Sequence, residues 1–600
     1  MRSSMHSNTL CAAFQRTAHR DPTGVALRTP GDAQTLTWAE YAGQVEQVAA
    51  ALAAHGIGRG DTVALMMGNR IEFYPLEVGA QHVGATSFSA YNTLPPEQLR
   101  YVFDNAGNRV LFCEEAYVDR VIASGTTIET IVCIDGSPAG TISLQDFLTR
   151  AEPGFDFEAT WKSVQPDDIL TLIYTSGTTG NPKGVEITHA AMLFTARAAH
   201  SVAGFDRADR VISYLPSAHI ADRFTSCYVQ EVYGSQITTV SDIAGVAAAL
   251  PDVRPTIFGA VPRVWDKLRI AVETSPERIE DEQLRRAVEW GLGVATRRGE
   301  YALRGKDMDP EFSEEWERAD AAVLSGLRAR LGLDAVRWAV SGGAPVAPET
   351  VAFFAGLGVP IGQNWGMSEL GALASASRPG EICIDTVGRL LPGVEAKVAE
   401  DGELLIRGPL LMKGYRKEPA KTAEAIDEDG WLHTGDIATV DDDGLVRIAG
   451  RKKDIIINAA GKNMSPSNIE NAVKGSCPLI GSVVAIGDAR PFVTALIVLD
   501  PEAAGAAALR SGLTEWDGKA LANDPEIVEK LRRGVAAGNT KLARVEQIKR
   551  FVILPKFWEP GGDEMTMTMK VKRAAVLENY AELIDTLYAP QVLSEVYEPA

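Results

Sequence analysis

Ile173-Tyr174-Thr175-Ser176-Gly177-Thr178-Thr179-Gly180-Asn181-Pro182-Lys183-Gly184 is the stretch that decides how this 600-residue chain is read. The apolar run 169–173 ahead of it predicts a buried strand, and the stretch then gathers hydroxyls, glycines and a lysine into one loop. Glycines let backbone N–H groups approach an anion closely, Ser and Thr hydroxyls donate to it, and Lys183 adds a charge. That is phosphate chemistry, but not a Walker A loop, which needs Gly before its Lys and Ser or Thr after it. Here Pro182 precedes Lys183 and Gly184 follows. The residues Gly184-Val185-Glu186-Ile187 predict a short strand, with Thr188 as N-cap of the next helix, so the loop joins two strands.

Working outward, 600 residues exceed one core and require at least two domains. With 79 acidic against 59 basic residues, the net charge of −20 argues against a nucleic-acid partner. No apolar run reaches the roughly 20 residues that cross a bilayer, and the start leads into no signal-peptide core, which reads as a cytoplasmic protein. Cys11, Cys113, Cys133, Cys227, Cys383 and Cys477 are scattered without a CxxC pair and read as small buried residues in a reducing compartment. No His/Cys/Asp cluster has metal-ligand spacing, so a metal is expected only as Mg²⁺ accompanying a nucleotide.

The first ~35 residues show weak periodicity, and the first firm element is a capping box at Thr37 and Glu40, opening a helix with Tyr41, Val45, Val48 and Leu52 on one face. Helices then alternate with short strands, such as 62–67, 109–112 and 130–134, which predicts a layered α/β domain with a largely parallel sheet. A charged helical insertion spans about 264–333, with Leu284, Val288 and Leu292 on one face and Val323, Leu327 and Leu331 on another. A strand over 336–340 runs into Ser341-Gly342-Gly343-Ala344-Pro345. Residues 385–450 turn to short β segments with Gly and Asp turns. The expected division is a large multi-subdomain α/β domain at 1–451 and a smaller, mobile α+β domain at 452–600, in which Ser465-Pro466 start a helix.

Four further stretches bear on the phosphate loop. Asn364-Trp365-Gly366-Met367-Ser368-Glu369 sets an aromatic plane beside a carboxylate, suited to a base and to Mg²⁺. Gly430-Trp431-Leu432-His433-Thr434-Gly435-Asp436 presents an aspartate after a tight turn, suited to a ribose diol. Gly450-Arg451-Lys452-Lys453-Asp454 is a charged run where the domains join, and Met565 to Arg573 carry Lys570 in a loop. Singly, each has a plainer reading: Trp365 as core, Asp436 as a turn residue, the basic run as a solvated face, Lys570 as a surface lysine.

In this order the set resembles the adenylate-forming superfamily of acyl-CoA synthetases, luciferases and peptide-synthetase adenylation domains. Within it the chain looks most like long-chain fatty acid–CoA ligases, on Ser341 to Pro345, Leu215-Pro216-Ser217-Ala218-His219, Asp429 to Asp436, Gly450 to Asn463, the helical insertion and Met569-Lys570-Val571-Lys572-Arg573. The resemblance implies activation of a fatty acid by ATP and transfer to CoA, with AMP and pyrophosphate released. It implies that Thr175, Ser176, Gly177, Thr178, Thr179, Gly180 and Lys183 hold the outer phosphates, and that Glu369, helped by Thr175, holds Mg²⁺. Gly342, Gly343, Ala344 and Pro345, with Asn364, Trp365, Gly366, Met367 and Ser368, would enclose the adenine. Asp436 would bind the ribose, with Arg451 beside it. Lys570 would stabilise charge in adenylation, Lys453 would be the hinge, Gly461 would face the pantetheine path, and His219 would gate or line the acyl site unless it is a buried structural histidine.

The sequence departs from the family pattern in three places. Trp365 stands where tyrosine is usual, Met567 where proline is common before the catalytic lysine, and Ser217 where leucine is usual. Lys572 competes with Lys570 for the catalytic role, and the Lys-x-x-Arg spacing favours Lys570. Two other readings stay open: transfer to a carrier protein's phosphopantetheine arm, and a nonenzymatic acyl or nucleotide sensor. A fatty substrate is compatible with peripheral membrane contact, although no basic amphipathic helix demands it.

Overall fold

Strand Ile169–Thr175 pairs antiparallel with Lys183–Thr188, in a register that sets Thr175 opposite Lys183. The loop's flanking segments are strands, as their residues predict, and the structure adds that the two pair with each other. The computed structural model describes residues 8–151, 154–175, 181–382, 384–459, 461–510, 517–559, 561–566 and 569–600. Ser176, Gly177, Thr178, Thr179, Gly180, Cys383 and Met567 lie outside the described residues.

The hairpin belongs to an eight-stranded sheet that continues through Thr86–Ser89, Thr62–Met66, Val110–Cys113, Thr130–Cys133 and Ile142–Ser143, with Gly414–Tyr415 at the other edge. From Ile169–Thr175 inward every pair is parallel. Parallel neighbours need crossovers, and helices such as Trp38–Ala54 and Phe73–His82 supply them. A second sheet holds Ile257–Ala260, Trp338–Ser341 and Ile361–Trp365 in parallel. A third, containing Val25–Arg28 and Arg210–Ser213, completes the layered part. Strands Glu395–Val398, Glu403–Arg407, Leu432–Val440 and Val446–Arg451 form an antiparallel sheet over the stretch expected to be a small β subdomain.

Beyond Arg451 a smaller domain follows, with a three-stranded sheet of Ile480–Ile486, Val493–Leu499 and Ile548–Leu554. Helices Pro466–Lys474 and Pro525–Asn539 pack into its core. The buried clusters of the large domain reach Val446, and those of the small domain begin at Ile456. The molecule is thus a mixed α/β protein with a large N-terminal and a smaller C-terminal domain.

Local signals explain many element starts. Thr37 and Glu40 form the reciprocal capping box of helix Trp38–Ala54. Thr188 accepts from Ala191 N at the head of His189–Ala203, and Ser465 accepts from Asn468 N with Pro466 at the first helical position. Two expectations need correction. From residue 8 on, the stretch ahead of Thr37 already holds helix Leu10–Arg20 and strand Val25–Arg28. That helix buries Cys11, Ala13, Thr17 and Ala18 beside Leu10 and Phe14, and such small side chains leave a weak hydrophobic signature. In the insertion, helix Glu282–Leu303 leaves Leu284 49% exposed, while Val288, Gly291, Val294, Ala295 and Gly299 form the buried stripe. Glycine matters there because a Cβ at Gly299 would stand 2.7 Å from the Ala352 carbonyl oxygen.

The core of the large domain also encloses charge. Arg223 and Glu77, both fully buried, pair directly, and the guanidinium also donates to Ser89, Ser87 and Tyr228. The five described cysteines are buried and unpaired. No described helix is long and apolar enough to cross a membrane.

Buried histidines give the fold an acid limit. His189 accepts from Leu10 N through Nδ1 at 3.1 Å, and burial pushes its pKa down from 6.5 to about 3. Above pH 6.5 neither folded nor unfolded chain protonates this group, so its contribution is complete. Below that, the unfolded chain binds a proton that the fold refuses, and stability falls as pH drops towards 3, by about 1.4 kcal/mol per pH unit. His189→Asn keeps an acceptor for Leu10 and removes the titration. The stability advantage of wild type over this variant, read from urea midpoints, should be constant above pH 6.5 and shrink between pH 6 and 5; a constant difference throughout would refute the assignment.

Candidate active site

The carboxyl ends of the parallel strands Ile257–Ala260, Trp338–Ser341 and Ile361–Trp365 open onto one crevice, where open α/β sheets bind ligands. Gly342 N donates to Ala260 O at 3.3 Å, which ties two strand ends together. Gly343 adopts φ +81°, a left-handed conformation that favours glycine, and keeps the turn low. Buried Ser341 Oγ and Asn364 Oδ1 have no hydrogen-bond partner among the described residues, and both sit at this crevice. A buried polar atom without a partner is costly unless a ligand or water meets it.

Trp365 is 9% exposed, and its indole N–H donates to Asp436 Oδ2 at 2.8 Å. Arg451 Nε meets the other oxygen, Oδ1, at 2.9 Å, while its Nη1 donates to Thr434 O at 3.0 Å. The adjacent strands Leu432–Val440 and Val446–Arg451 put Asp436 directly opposite Arg451, so this pair is set by sheet register. Burial raises the Asp436 pKa, and Arg451, the Trp365 N–H and the Lys570 charge oppose that rise. The tryptophan at the tyrosine-type position is therefore part of the carboxylate's support as well as a ring.

Glu369 lies in the turn Ser368–Leu370, nearly buried, with Oε1 accepting from Tyr415 OH at 2.9 Å. Lys183 Nζ stands 4.6 Å from the centre of the Tyr415 ring. Strand Gly414–Tyr415 pairs with Lys183–Thr188, which brings tyrosine, lysine and carboxylate into one row. Tyr415 is the member that sequence reasoning missed; after Met412-Lys413-Gly414 it has no motif, and only strand pairing reveals it. The remaining Glu369 oxygen suits a hard cation such as Mg²⁺. Among the described residues there is no cluster of three His, Cys, Asp or Glu that would hold a metal by protein ligands alone. Gly366 cannot carry a side chain, because a Cβ would collide with the Ala372 carbonyl.

Lys570 comes from the small domain. It sits in a tight turn where Thr566 N donates to Lys570 O at 2.8 Å, Lys570 N donates to Thr566 Oγ1 at 3.0 Å, and Met569 takes φ +60°. Its Cε lies 3.9 Å from the Cβ position of Gly343, which places the chain in the crevice of the large domain. The side chain keeps access to solvent within the cleft while protein surrounds it. That desolvation, with repulsion from Arg451, lowers its pKa, and Asp436 opposes the shift. Lys572 points elsewhere and donates to Gly562 O at 2.9 Å within its own domain.

His219 caps the short helix Ile220–Asp222, accepting from Ala221 N at Nδ1. Burial and the Lys570 charge push its pKa down to about 3, so the ring is neutral with its proton on Nε2. Lys453 is exposed in the turn Lys452–Asp454 and makes no ion pair among the described residues. Gly461 is not brought to this crevice. It occupies the exposed turn of hairpin Ile456–Ile457/Asn463–Met464, with φ +78° and open space around its Cβ position.

Glycine-bound strand ends, supported carboxylates and a lysine delivered from a second domain define a two-domain enzyme of the adenylate-forming kind. The chain belongs to the AMP-binding enzyme family, whose model matches residues 14–416, with the family's C-terminal domain matching 453–592. The Mycobacterium tuberculosis protein designated fadD11 is 57% identical over 462 residues, covering 77% of this chain and 81% of that one. Long-chain-fatty-acid–CoA ligase FadD15 of the same organism is 34% identical over 571 residues and 92% of each chain. The crystal structure of the anthranilate CoA ligase AuaEII in complex with anthranoyl-AMP superposes with a TM-score of 0.74 over 98% of this chain and all of that one, at 20% identity, which shows the shared fold.

Proposed function

We propose that this protein is an ATP-dependent long-chain fatty acid–CoA ligase that works through an acyl-adenylate. The observation that carries the proposal is Lys570, placed beside Gly343 with Asp436 and Arg451 in its electrostatic field. The names of relatives such as long-chain-fatty-acid–CoA ligase FadD15 support the substrate class. Five buried free cysteines support a reducing, cytoplasmic compartment.

A carboxylate resists attack because it is anionic and would have to expel oxide. In the proposed reaction its oxygen attacks the α-phosphorus of ATP, the bond to pyrophosphate breaks, and AMP becomes the leaving group when the CoA thiolate attacks the acyl carbonyl. Both steps demand positioning and charge stabilisation rather than a protein nucleophile. Lys570 meets the charge on the carboxylate and α-phosphate oxygens, and the neutral His219 offers Nε2–H to the acyl carboxylate. Lys183, carried at the hairpin end, meets the departing phosphates, with Thr175 opposite it. Gly342 to Pro345 and Asn364 to Ser368 enclose the adenine, and Asp436 accepts from the ribose hydroxyls while Trp365 and Arg451 hold it. Glu369 and Thr175 would hold Mg²⁺, which neutralises phosphate charge when bound. We take the domain boundary at 451, with Lys453 as the hinge about which the small domain withdraws Lys570 and brings Gly461 to the pantetheine path.

Two measurements test this reading. Incubation with a fatty acid panel, ATP and either CoA or a carrier protein should yield acyl-CoA, AMP and pyrophosphate; ADP among the products would overturn it. Asp436→Ala should weaken ATP binding about tenfold or more in calorimetry, since it removes a charged hydrogen-bond acceptor. Unchanged affinity would count against the ribose role.

A further inference from the structure

The helix Pro262–Glu273 starts at the crevice, directly after strand Ile257–Ala260, and runs along the small domain. Three ion pairs cross between domains there and at the neighbouring helix Pro348–Leu357: Asp266 with Lys474 at 2.9 Å, Lys267 with Glu502 at 2.6 Å, and Glu349 with Lys541. They are unequal. Lys267 and Glu502 are both exposed and therefore worth little. Asp266 and Lys474 are only 21% and 27% exposed, and Asp266 is held by its other oxygen, which accepts from the buried Thr350 Oγ1 at 2.8 Å. Lys541 also donates to Ser476 at 3.0 Å.

Two of the three small-domain partners, Lys474 and Lys541, meet the large domain at neighbouring points, because Lys541 donates to Ser476, two positions beyond Lys474. Lys474 ends the helix Pro466–Lys474, Gly475 caps it, and Ser476 follows. Facing them is the amino end of Pro348–Leu357, with Glu349 in its first turn. The carboxyl end of one helix thus meets the amino end of another, an alignment in which the two dipoles attract. Gly475 has an ordinary helical φ of −65°, yet a Cβ there would collide with the Glu349 carboxylate, so contact rather than backbone strain favours glycine. Arg263, on helix Pro262–Glu273 with Asp266, reaches Met565 Sδ at 3.9 Å, at the base of the Lys570 turn.

We infer that Asp266, through Lys474, is a positioning residue for adenylation: the pair latches the small domain in the orientation that delivers Lys570 to the cleft. The inference rests on the proposed two-step reaction. The pair adds nothing to the reacting atoms, and it must break before the small domain can rotate for the thiol step. Removing it therefore lowers the population of the adenylating orientation and leaves the second orientation untouched.

The test uses the full chain with Asp266→Asn, Lys474→Met and the charge exchange Asp266→Lys with Lys474→Asp. Acyl-adenylate formation should fall about fivefold in each single variant. Thioester formation from supplied acyl-adenylate should hold or rise, and the charge exchange should recover much of the adenylation rate. Tryptic cleavage after the exposed Lys452 and Lys453 is followed on the same proteins and should quicken in the single variants as the small domain undocks. Unchanged cleavage, equal loss of both half-reactions, or no recovery in the charge exchange would overturn the latch. Failure of wild type to form any acyl-adenylate would instead overturn the functional reading, with the cleavage rates still deciding whether the pair docks the domain.

Discussion

Lys570→Ala should lose acyl-adenylate formation by at least about 10²-fold while thioester formation from supplied acyl-adenylate stays near the wild-type rate. The asymmetry follows from where the lysine is rooted. The turn Thr566–Lys570 belongs to the small domain, so its ammonium is present in the crevice only while that domain is docked. A pre-positioned cation facing Asp436 and Arg451 costs no reorganisation when charge develops on the α-phosphate oxygens, which is why its removal should act on rate rather than on ATP affinity. Lys570→Arg should recover little, because a planar, bulkier guanidinium does not substitute for a compact ammonium point charge. Pyrophosphate exchange reads the first half-reaction and thiol consumption the second. An equal loss in both would remove the two-orientation mechanism.

Arg223→Met should destabilise the large domain by about 3–5 kcal/mol, because it strips the fully buried Glu77 of its ion-pair partner and leaves it only the hydroxyls of Ser87 and Tyr228 as donors. Both side chains have no solvent exposure, and Ser87, Ser89 and Tyr228 lose a donor at the same time. Glu77→Gln combined with Arg223→Met removes both charges and should recover a good part of that loss, since two apolar or neutral groups do not need each other. Urea midpoints of the single and double variants decide the matter; a double variant no more stable than Arg223→Met would show that the network acts as a unit rather than as a pair. Ser89 also accepts from Ser217 Oγ at 3.2 Å, so the single variant should disturb the segment leading to His219 as well as the core.

Much of the fold was legible because local chemistry and tertiary structure agree. The strands ending at Thr175 and starting at Lys183, the capping box at Thr37, the Thr188 cap and the Ser465-Pro466 helix start are all written in residues a few positions apart. The early helix Leu10–Arg20 escaped for a physical reason, since its buried face is largely alanine, cysteine and threonine. Leu284 misled for the opposite reason, having the right spacing but lying before the stripe that packs.

For the site, the sequence by itself determined which chemistries were present: a hydroxyl- and glycine-rich hairpin loop, carboxylates at 369 and 436, and a lysine at 570. Each is a short motif whose composition limits what it can do. Only the tertiary structure decided which groups support them. Tyr415 reaches Glu369 and Lys183 because its strand adds to the hairpin, and Trp365 and Arg451 share Asp436 because sheet register sets them there. Asp266 and Lys474 lie 208 positions apart, and charge alone could not single them out among 138 acidic and basic residues, 79 and 59 respectively. Their pairing exists only because two separately folded domains dock with one helix end against another.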